Sequence, residues 1–199
     1  MLPLVALMML AAATSFGYHR ILLAQRDLIE HTYQVMAALE TTLQLITDAE
    51  TGQRGYILTR NPTYLKPYVQ AIKAVKTQPM QLRQLVTDSP IQLARVDALE
   101  QALRQKLNEL SSTLDVLDQQ GAEAARKIVS SNVGREHMDR IRMLIAQMRQ
   151  AETGLLIERS LRAARTERKM LVVTIALAVL SIFARVGLSF MAKRRLKNG

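Results

Sequence analysis

Cysteine and tryptophan are both absent from this 199-residue chain. No disulfide staple and no cysteine-based zinc or iron–sulfur site can therefore form, although a cysteine-free chain suits any redox compartment. Aromatic residues make up only 4% of the sequence, with five prolines and eight glycines. So small a supply of turn formers and aromatics argues against an all-β sandwich or barrel. What the chain does contain is Leu, Ala, Gln, Arg and Glu, good helix formers. Its mean hydropathy of +0.03 is high for a chain that is 22% charged. Such an average arises when a charged segment is joined to very apolar ones.

The apolar segments sit at the two ends. Residues 1–18 (MLPLVALMMLAAATSFGY) carry no ionisable side chain before Tyr18, and Met170 to Ala184 carry none at all. Arg185 then intervenes, and the apolar run resumes to Ala192. Crossing roughly 30 Å of hydrocarbon takes about 20 helical residues. The second segment reaches that length if Arg185 snorkels to the interface or faces another helix; the first does so with interfacial help. Two transmembrane helices are expected, 1–18 and 170–192. The first has a rival reading. Ala11-Ala12-Ala13 resembles the cleavage site of a secretory signal peptide, but no basic stretch precedes it and helical pattern follows at once through Leu23. Either way residues 19–169 are exported, provided the termini face the cytoplasm. The tail, 193–199, carries Lys193, Arg194, Arg195 and Lys197, which favours a cytoplasmic C-terminus. Arg159, Arg162, Arg165, Arg168 and Lys169 lie on the other side of that span, but long loops cross membranes largely regardless of charge. The expected location is the cell inner membrane, with the middle of the chain periplasmic.

That division changes the meaning of the +10 net charge and the pI of 10.3. All 17 acidic residues lie within 19–169, whereas Arg185 and four tail residues are basic and outside it. Half of the excess positive charge thus belongs to a membrane helix and its flank, where it sets topology and meets anionic lipid. The remaining basic residues alternate with acidic ones and lack the interleaved aromatics of a nucleic-acid platform. No nucleic-acid partner is expected.

Prolines punctuate the middle. After Pro3 they fall only at 62, 67, 79 and 90. A first helix is expected to run from the membrane to about Leu58, ending at Thr59-Arg60-Asn61-Pro62. A second spans about 63–86, with Pro67 in its first turn and a kink or break at Pro79. Asp88-Ser89-Pro90 starts a third, which Gly121 stops. A fourth begins near Ala122 and continues without interruption into the second span. Each long helix carries one apolar stripe: Met36, Leu39, Leu43 and Ile46 in the first; Val96, Leu99, Leu103, Leu107, Leu110, Leu114 and Leu117 in the third; Met138, Ile141, Ile145, Met148 and Leu155 in the fourth. Stripes of this kind must be buried against one another. The fold class is therefore all-α, an antiparallel four-helix bundle flanked by two transmembrane helices.

The stripe is most informative where it breaks. Continuing the first helix from Ile46 reaches Glu50 and Gln53, with Asp48 and Arg54 beside them, and continuing the fourth from Met148 reaches Glu152. An unpaired carboxylate inside a core costs several kcal/mol, so such groups are paired, hydrated or at a gap in packing. Gly52 and Gly55 stand in the same stretch, each costing roughly 1 kcal/mol against alanine in a helix interior. Glycine there lets another helix or a polar side chain come close. Glu50 lies about 48 Å along a continuous helix from Tyr18, and the same distance back from Met170 reaches position 138. A polar layer is expected with Glu50 and Arg54 near Asp139 and Arg142. It serves either to fix helix register or as a ligand or switch site, where a helix shift of a few ångströms carries a signal.

The run DAETGQRGYILT, followed by Asn61-Pro62, Tyr64-Leu65 and Pro67-Tyr68, resembles the signature of the third class of the CHASE family of extracytoplasmic sensory domains. Asp88-Ser89-Pro90 with Gln92, Lys106-Leu107, Glu109-Leu110, Met138-Asp139, Ile141-Arg142, and Glu152 with Leu155-Leu156 and Arg159 fit the same pattern. The resemblance covers nearly all of 20–168. It implies a helical sensor between two membrane helices, commonly feeding a histidine kinase, nucleotide cyclase or chemoreceptor output, with no catalysis of its own and no well-established ligand. The chain departs from the family after the second span, where only about seven residues follow and no output domain is present. A free-standing sensor, a fragment and a degenerate relative all fit.

Catalysis finds little support in the residues. His19, His31 and His137 are far apart and lack metal-ligand spacing; His19 reads as interfacial, the other two as solvated. No serine sits in a nucleophile-elbow motif. The expectation is a non-enzymatic sensor without cofactor or metal, ligand unknown, paired as a homodimer or as a heterodimer with a signalling protein and in contact with membrane lipid. The competing reading is a membrane-anchored helical scaffold that binds lipid or partner helices and transmits nothing.

Overall fold

A computed structural model describes the backbone of residues 2–197, and side chains for residue 9 and for residues 12–183 and 185–187. Every described element is helical. Helix α1 covers Leu2–Thr59, α2 Leu65–Val75, α3 Gln78–Leu85, α4 Pro90–Gln120, α5 Ala122–Ser130 and α6 Val133–Lys197. A single 3-10 turn, Pro62–Tyr64, leads into α2. The chain divides into two compact units, one formed by residues 31–155 and the other by 1–30 with 156–199.

In the unit 31–155, side-chain contacts set the directions of the helices. Ile57 near the end of α1 packs with Leu117 near the end of α4 and with Ala125 of α5, so α1 and α4 run in parallel. The Thr42 hydroxyl of α1 lies 3.4 Å from the Gln78 side-chain oxygen at the start of α3, whereas Gly52, ten residues further on, lies against Tyr64 and Tyr68. The α2–α3 leg therefore descends. So does α6: Gly134 at its head meets α4 at Lys106, and Met148 further down meets α4 at Gln92. The result is an up-down-up-down bundle whose second leg is α2 with α3 and whose fourth is α5 with the first part of α6.

The expected stripes form the core. Leu39, Ile46, Val96, Leu99, Leu103, Leu110, Leu117, Met138, Ile141, Ile145 and Met148 are all buried. Leu43, Leu107 and Leu114 pack half-buried beside them, and Met36 is half-buried as well. Leu155 does not follow, being 38% exposed; the unit 31–155 ends there. The helix starts follow their local chemistry. The Ser89 hydroxyl accepts from the Gln92 amide ahead of Pro90, and Asn61 caps the 3-10 turn by accepting from the Thr63 amide. Gly121 adopts φ +89°, a conformation open to glycine, and ends α4. Arg60 crosses from the end of α1 to the last turn of α4, donating to the Leu117 carbonyl (2.9 Å) and pairing with Asp118 (3.4 Å). One cation thereby satisfies a carbonyl orphaned at a helix C-terminus.

The second expected helix breaks close to Pro79, as anticipated, and the fourth is interrupted where no break is expected. The second is divided at Lys76–Thr77, because Pro79 takes a position in the first turn of α3, where its missing N–H costs nothing. The fourth is interrupted at Ser131–Asn132, where Asn132 has φ +67° and the Ser131 hydroxyl caps the end of α5 at Ile128. Asparagine is among the few side chains that accept this left-handed conformation.

In the other unit, the first part of α1 pairs with the later part of α6. Gln25 Nε2 donates to the Thr166 hydroxyl (3.3 Å), and Arg159 donates to the Leu28 carbonyl (2.7 Å). Helix α6 contains a stretch long and apolar enough to cross a membrane, judged by length and composition. Most side chains of the first apolar segment, and those of the basic tail 193–199, lie outside the described residues.

Candidate functional site

The stretch of α1 between Asp48 and Tyr56 is where the apolar stripe gives way, and its two glycines admit a close neighbour. A Cβ added at Gly52 would stand 2.8 Å from the Tyr64 carbonyl oxygen and 3.1 Å from the Tyr68 amide, and one at Gly55 would run into the Tyr64 ring. Only glycine lets the 3-10 turn and the head of α2 lie directly on α1. On the opposite flank, Gln53 is buried and donates to the Leu110 carbonyl of α4 at 2.8 Å. Its burial fixes the rotation of α1, which brings Glu50 and Arg54 out toward the gap between α4 and α6.

The centre of that gap is Lys106. Its side chain is 1% exposed, and its ammonium donates to Glu50 Oε1 at 3.1 Å, Glu109 Oε2 at 2.9 Å and the Gly134 carbonyl at 3.0 Å. All three ammonium protons are thus used, as a buried lysine requires. Glu50 and Glu109 keep 16% and 11% exposure. The Thr113 hydroxyl donates to the Glu109 backbone carbonyl (2.8 Å) and lies 3.4 Å from a Glu109 carboxylate oxygen. A Cβ on Gly134 would sit 3.0 Å from both the Lys106 nitrogen and a Glu109 oxygen, so glycine is what lets the start of α6 reach the charge. One cation therefore joins α1, α4 and α6.

Above this layer opens a cavity of about 160 Å³. Glu50, Glu109 and Gly134 lie in its wall, and Arg54, Arg135 and Arg142 stand around it. Arg54 lies 3.9 Å from Glu50, and Arg142 is paired with Asp139 at 3.0 Å. A second hollow, of about 510 Å³, shares Arg54 and Val129 with the first and is lined by Ile57, Leu58, Arg126 and Ser130.

The sequence-derived site is therefore assembled in part. Glu50, Arg54 and Arg142 share one cavity, as the level arithmetic anticipates, and Gln53 lines it too. Asp139 is not among its lining residues; it is exposed on the outside of α6 and holds Arg142. Asp48 is exposed and outside the layer. Glu152 is 4% exposed but belongs to a separate contact near the other end of the unit, accepting from Gln92 Nε2 at 2.9 Å. That Gln92 amide also reaches the Met148 carbonyl, and Arg95 donates to its oxygen at 3.1 Å. The counter-ion of Glu50 is not on α6, as expected from level alone, but on α4. Lys106 was legible as a position: it stands three residues after Leu103 and four before Leu110, squarely in the buried stripe. His31 and His137, read as solvated, are half-buried. Among the described residues no cluster of His, Asp or Glu is arranged to hold a metal ion. Burial raises the pKa of Tyr68 above the usual phenol value, and the nearby charges of Asp115 and Glu109 add to the rise.

Comparison with known proteins adds the family. The CHASE3 domain profile matches residues 25–162. The sensor domain of the histidine kinase HK9 of Rhodopseudomonas palustris, a crystal structure, is similar to the chain with 26% identity and a TM-score of 0.59. The match covers 63% of this chain and 98% of that one. No curated protein matches the chain in sequence. The profile covers well over half of the chain, including the glycine-bearing stretch of α1, Lys106 and the head of α6, and the chain belongs to the CHASE3 family of sensory domains.

Proposed function

We propose that this chain is a membrane-anchored, extracytoplasmic sensor that passes helix movements through the membrane to a histidine kinase, cyclase or chemoreceptor-type output. The observation that carries the reading is the Lys106 ammonium. It ties α1 and α6, the two helices whose sequences continue toward the apolar ends of the chain, to α4 between them. Anything that rearranges Glu50, Glu109 or the Gly134 carbonyl changes the relative positions of α1 and α6, and a shift of an ångström or two between packed helices suffices for signalling. Membership of a sensory family and likeness to a kinase sensor domain support this reading. The domain acts by binding and movement, without chemistry of its own. Two spans, at 1–18 and 170–192, and a cytoplasmic C-terminus complete the arrangement, with a second copy or a signalling partner alongside.

The test fuses the chain to a cytoplasmic kinase output and measures autophosphorylation in membranes. Glu50→Gln and Arg54→Ala are expected to change the output several-fold at unchanged protein level. Output indifferent to both, and to the medium, would leave a helical scaffold as the answer. Location is tested in the same cells. Because the chain has no cysteine, a single Ser112→Cys on the exposed face of α4 should react with a membrane-impermeant maleimide from outside the inner membrane.

A further inference from the structure

From the geometry above Lys106 we infer that the cavity is a binding site for an organic anion, a carboxylate head with a short apolar body. The inference rests on the sensor reading only for what binding does, not for whether it happens. Three features carry it. First, the two carboxylates in the cavity wall are balanced by the Lys106 ammonium and the Arg54 guanidinium, so Arg135 and Arg142 leave the lining net positive. Second, the groups left over are guanidinium groups. Among the described residues Arg135 and Arg126 have no carboxylate within ion-pair distance. Arg54 is only loosely paired at 3.9 Å, and Arg142 spends one nitrogen on Asp139. Planar guanidinium groups match a carboxylate two hydrogen bonds at a time. Third, Asn132, Gly134 and Arg135 place the head of α6 in the cavity wall. The first intrahelical bond of α6 there runs from the Glu136 amide to the Asn132 carbonyl (3.0 Å). The amides of Gly134 and Arg135 precede it, have no acceptor within the helix, and favour an anion together with the helix dipole.

The apolar body is assigned from the neighbouring hollow. It opens from the same Arg54 and Val129 and is walled by Ile57 and Leu58, so a head group on the arginines points a tail toward an apolar surface. The pairing of a few convergent polar groups with an apolar recess is the usual make-up of a small-molecule site. Occupancy would draw Arg54 and Arg135 together across the gap between α1 and α6, on the rim of the Lys106 layer.

The experiment uses the full chain in nonionic detergent and isothermal titration with hexanoate, hexanol, hexylammonium and acetate. Hexanoate is expected to bind saturably at one site. Hexanol and hexylammonium should show no saturable heat, and acetate should bind at least tenfold more weakly than hexanoate. Arg135→Gln and Arg54→Gln should each weaken hexanoate at least tenfold, whereas Arg83→Gln, on the α3–α4 surface, should leave it unchanged. Absence of saturable hexanoate binding, equal binding of hexylammonium, or indifference to both arginine variants overturns the inference. Acetate binding as tight as hexanoate removes the apolar half of the assignment. Hexanoate binding without any change in the output of the kinase fusion would instead refute the sensor reading and leave the anion site standing.

Discussion

Replacing Lys106 by methionine isolates the charge from the packing. Methionine keeps an unbranched apolar stem in the space between α1 and α4 and removes only the ammonium. What remains is a pair of carboxylates, Glu50 and Glu109, and the Gly134 carbonyl, with their shared donor gone. Removing one partner of a fully buried ion pair costs about 3–5 kcal/mol, because the other charge stays buried and unpaired. Glu50 and Glu109 are 16% and 11% exposed along the cavity, so water recovers part of that loss and the expected cost is ~2–4 kcal/mol. For a chain of this size each kcal/mol moves Tm by about 2–4 °C, which places Lys106→Met roughly 5–15 °C below the wild type. Differential scanning calorimetry of the detergent-solubilised protein reads this directly.

The same logic predicts a rescue. Glu50→Gln and Glu109→Gln in the Lys106→Met background remove the orphaned charges and should regain most of the lost Tm, whereas each alone in the wild type should be destabilising. A double-mutant cycle over Glu50 and Lys106 should give a coupling above ~1 kcal/mol. If Lys106→Met melts within about 2 °C of the wild type, or the glutamine substitutions fail to restore it, the layer does not hold α1, α4 and α6 together, and the signalling argument built on it fails too.

Three other outcomes test the packing and the electrostatics. Gly52→Ala should destabilise by about 1–2 kcal/mol, since overpacking against the Tyr64 carbonyl outweighs the gain in helix propensity, whereas Gly154→Ala, with nothing within 4 Å of the added carbon, should stabilise by ~0.5–1 kcal/mol; urea unfolding compares the two. Because the folded-state pKa of Tyr68 is raised, the unfolded phenol ionises first, so its contribution to stability is complete below the ordinary value near 10 and is lost as pH rises through the higher folded value. Melting scans from pH 8 to 11 should show that loss in the wild type and a smaller one in Tyr68→Phe. Gln92→Leu should cost about 1–3 kcal/mol by stripping the 4% exposed Glu152 of its donor, an effect that Glu152→Gln in the same background should reduce.

The bundle was legible because its instructions are local and repeated. Proline at the head of α4, glycine at its end, and leucines spaced by three and four leave little freedom in how the third leg forms. The ends of α1 and α4 were placed to within a residue or so for the same reason. The break at Ser131–Asn132 was not, because it depends on one asparagine accepting a left-handed backbone. The stretch Ser130-Ser131-Asn132 has no proline, and the nearest following glycine, Gly134, falls inside α6 rather than at the turn. Pro79 signals a kink or a break within 63–86, and the structure takes the break, because a proline is at home in the first turn of a new helix.

The site was half legible, and the missing half has a specific cause. Glu50, Gln53, Arg54 and Arg142 could be found because each interrupts or flanks an apolar stripe, and a carboxylate in a stripe demands a partner. Level along the helices then pointed to α6, and it came close: the Gly134 carbonyl that shares the Lys106 ammonium with Glu50 lies one helical turn from the position the arithmetic reached. Distance along a helix, however, says nothing of which neighbour faces the charge. In α4 the stripe can be traced through Leu103, Leu107 and Leu110 or through Leu103, Lys106 and Leu110, and apolar preference selects the first. Burial selects the second, leaving Leu107 at the edge and Lys106 at 1% exposure. A lysine is tolerated at such a position only when its protons are all bound, and here two are held by carboxylates and the third by a backbone carbonyl that a glycine brings within reach. The demand that made Glu50 conspicuous is therefore met by a residue that the hydrophobic pattern hides. Wherever a carboxylate breaks one stripe of a bundle, the basic residue to seek is the one that breaks a neighbouring stripe at the same height.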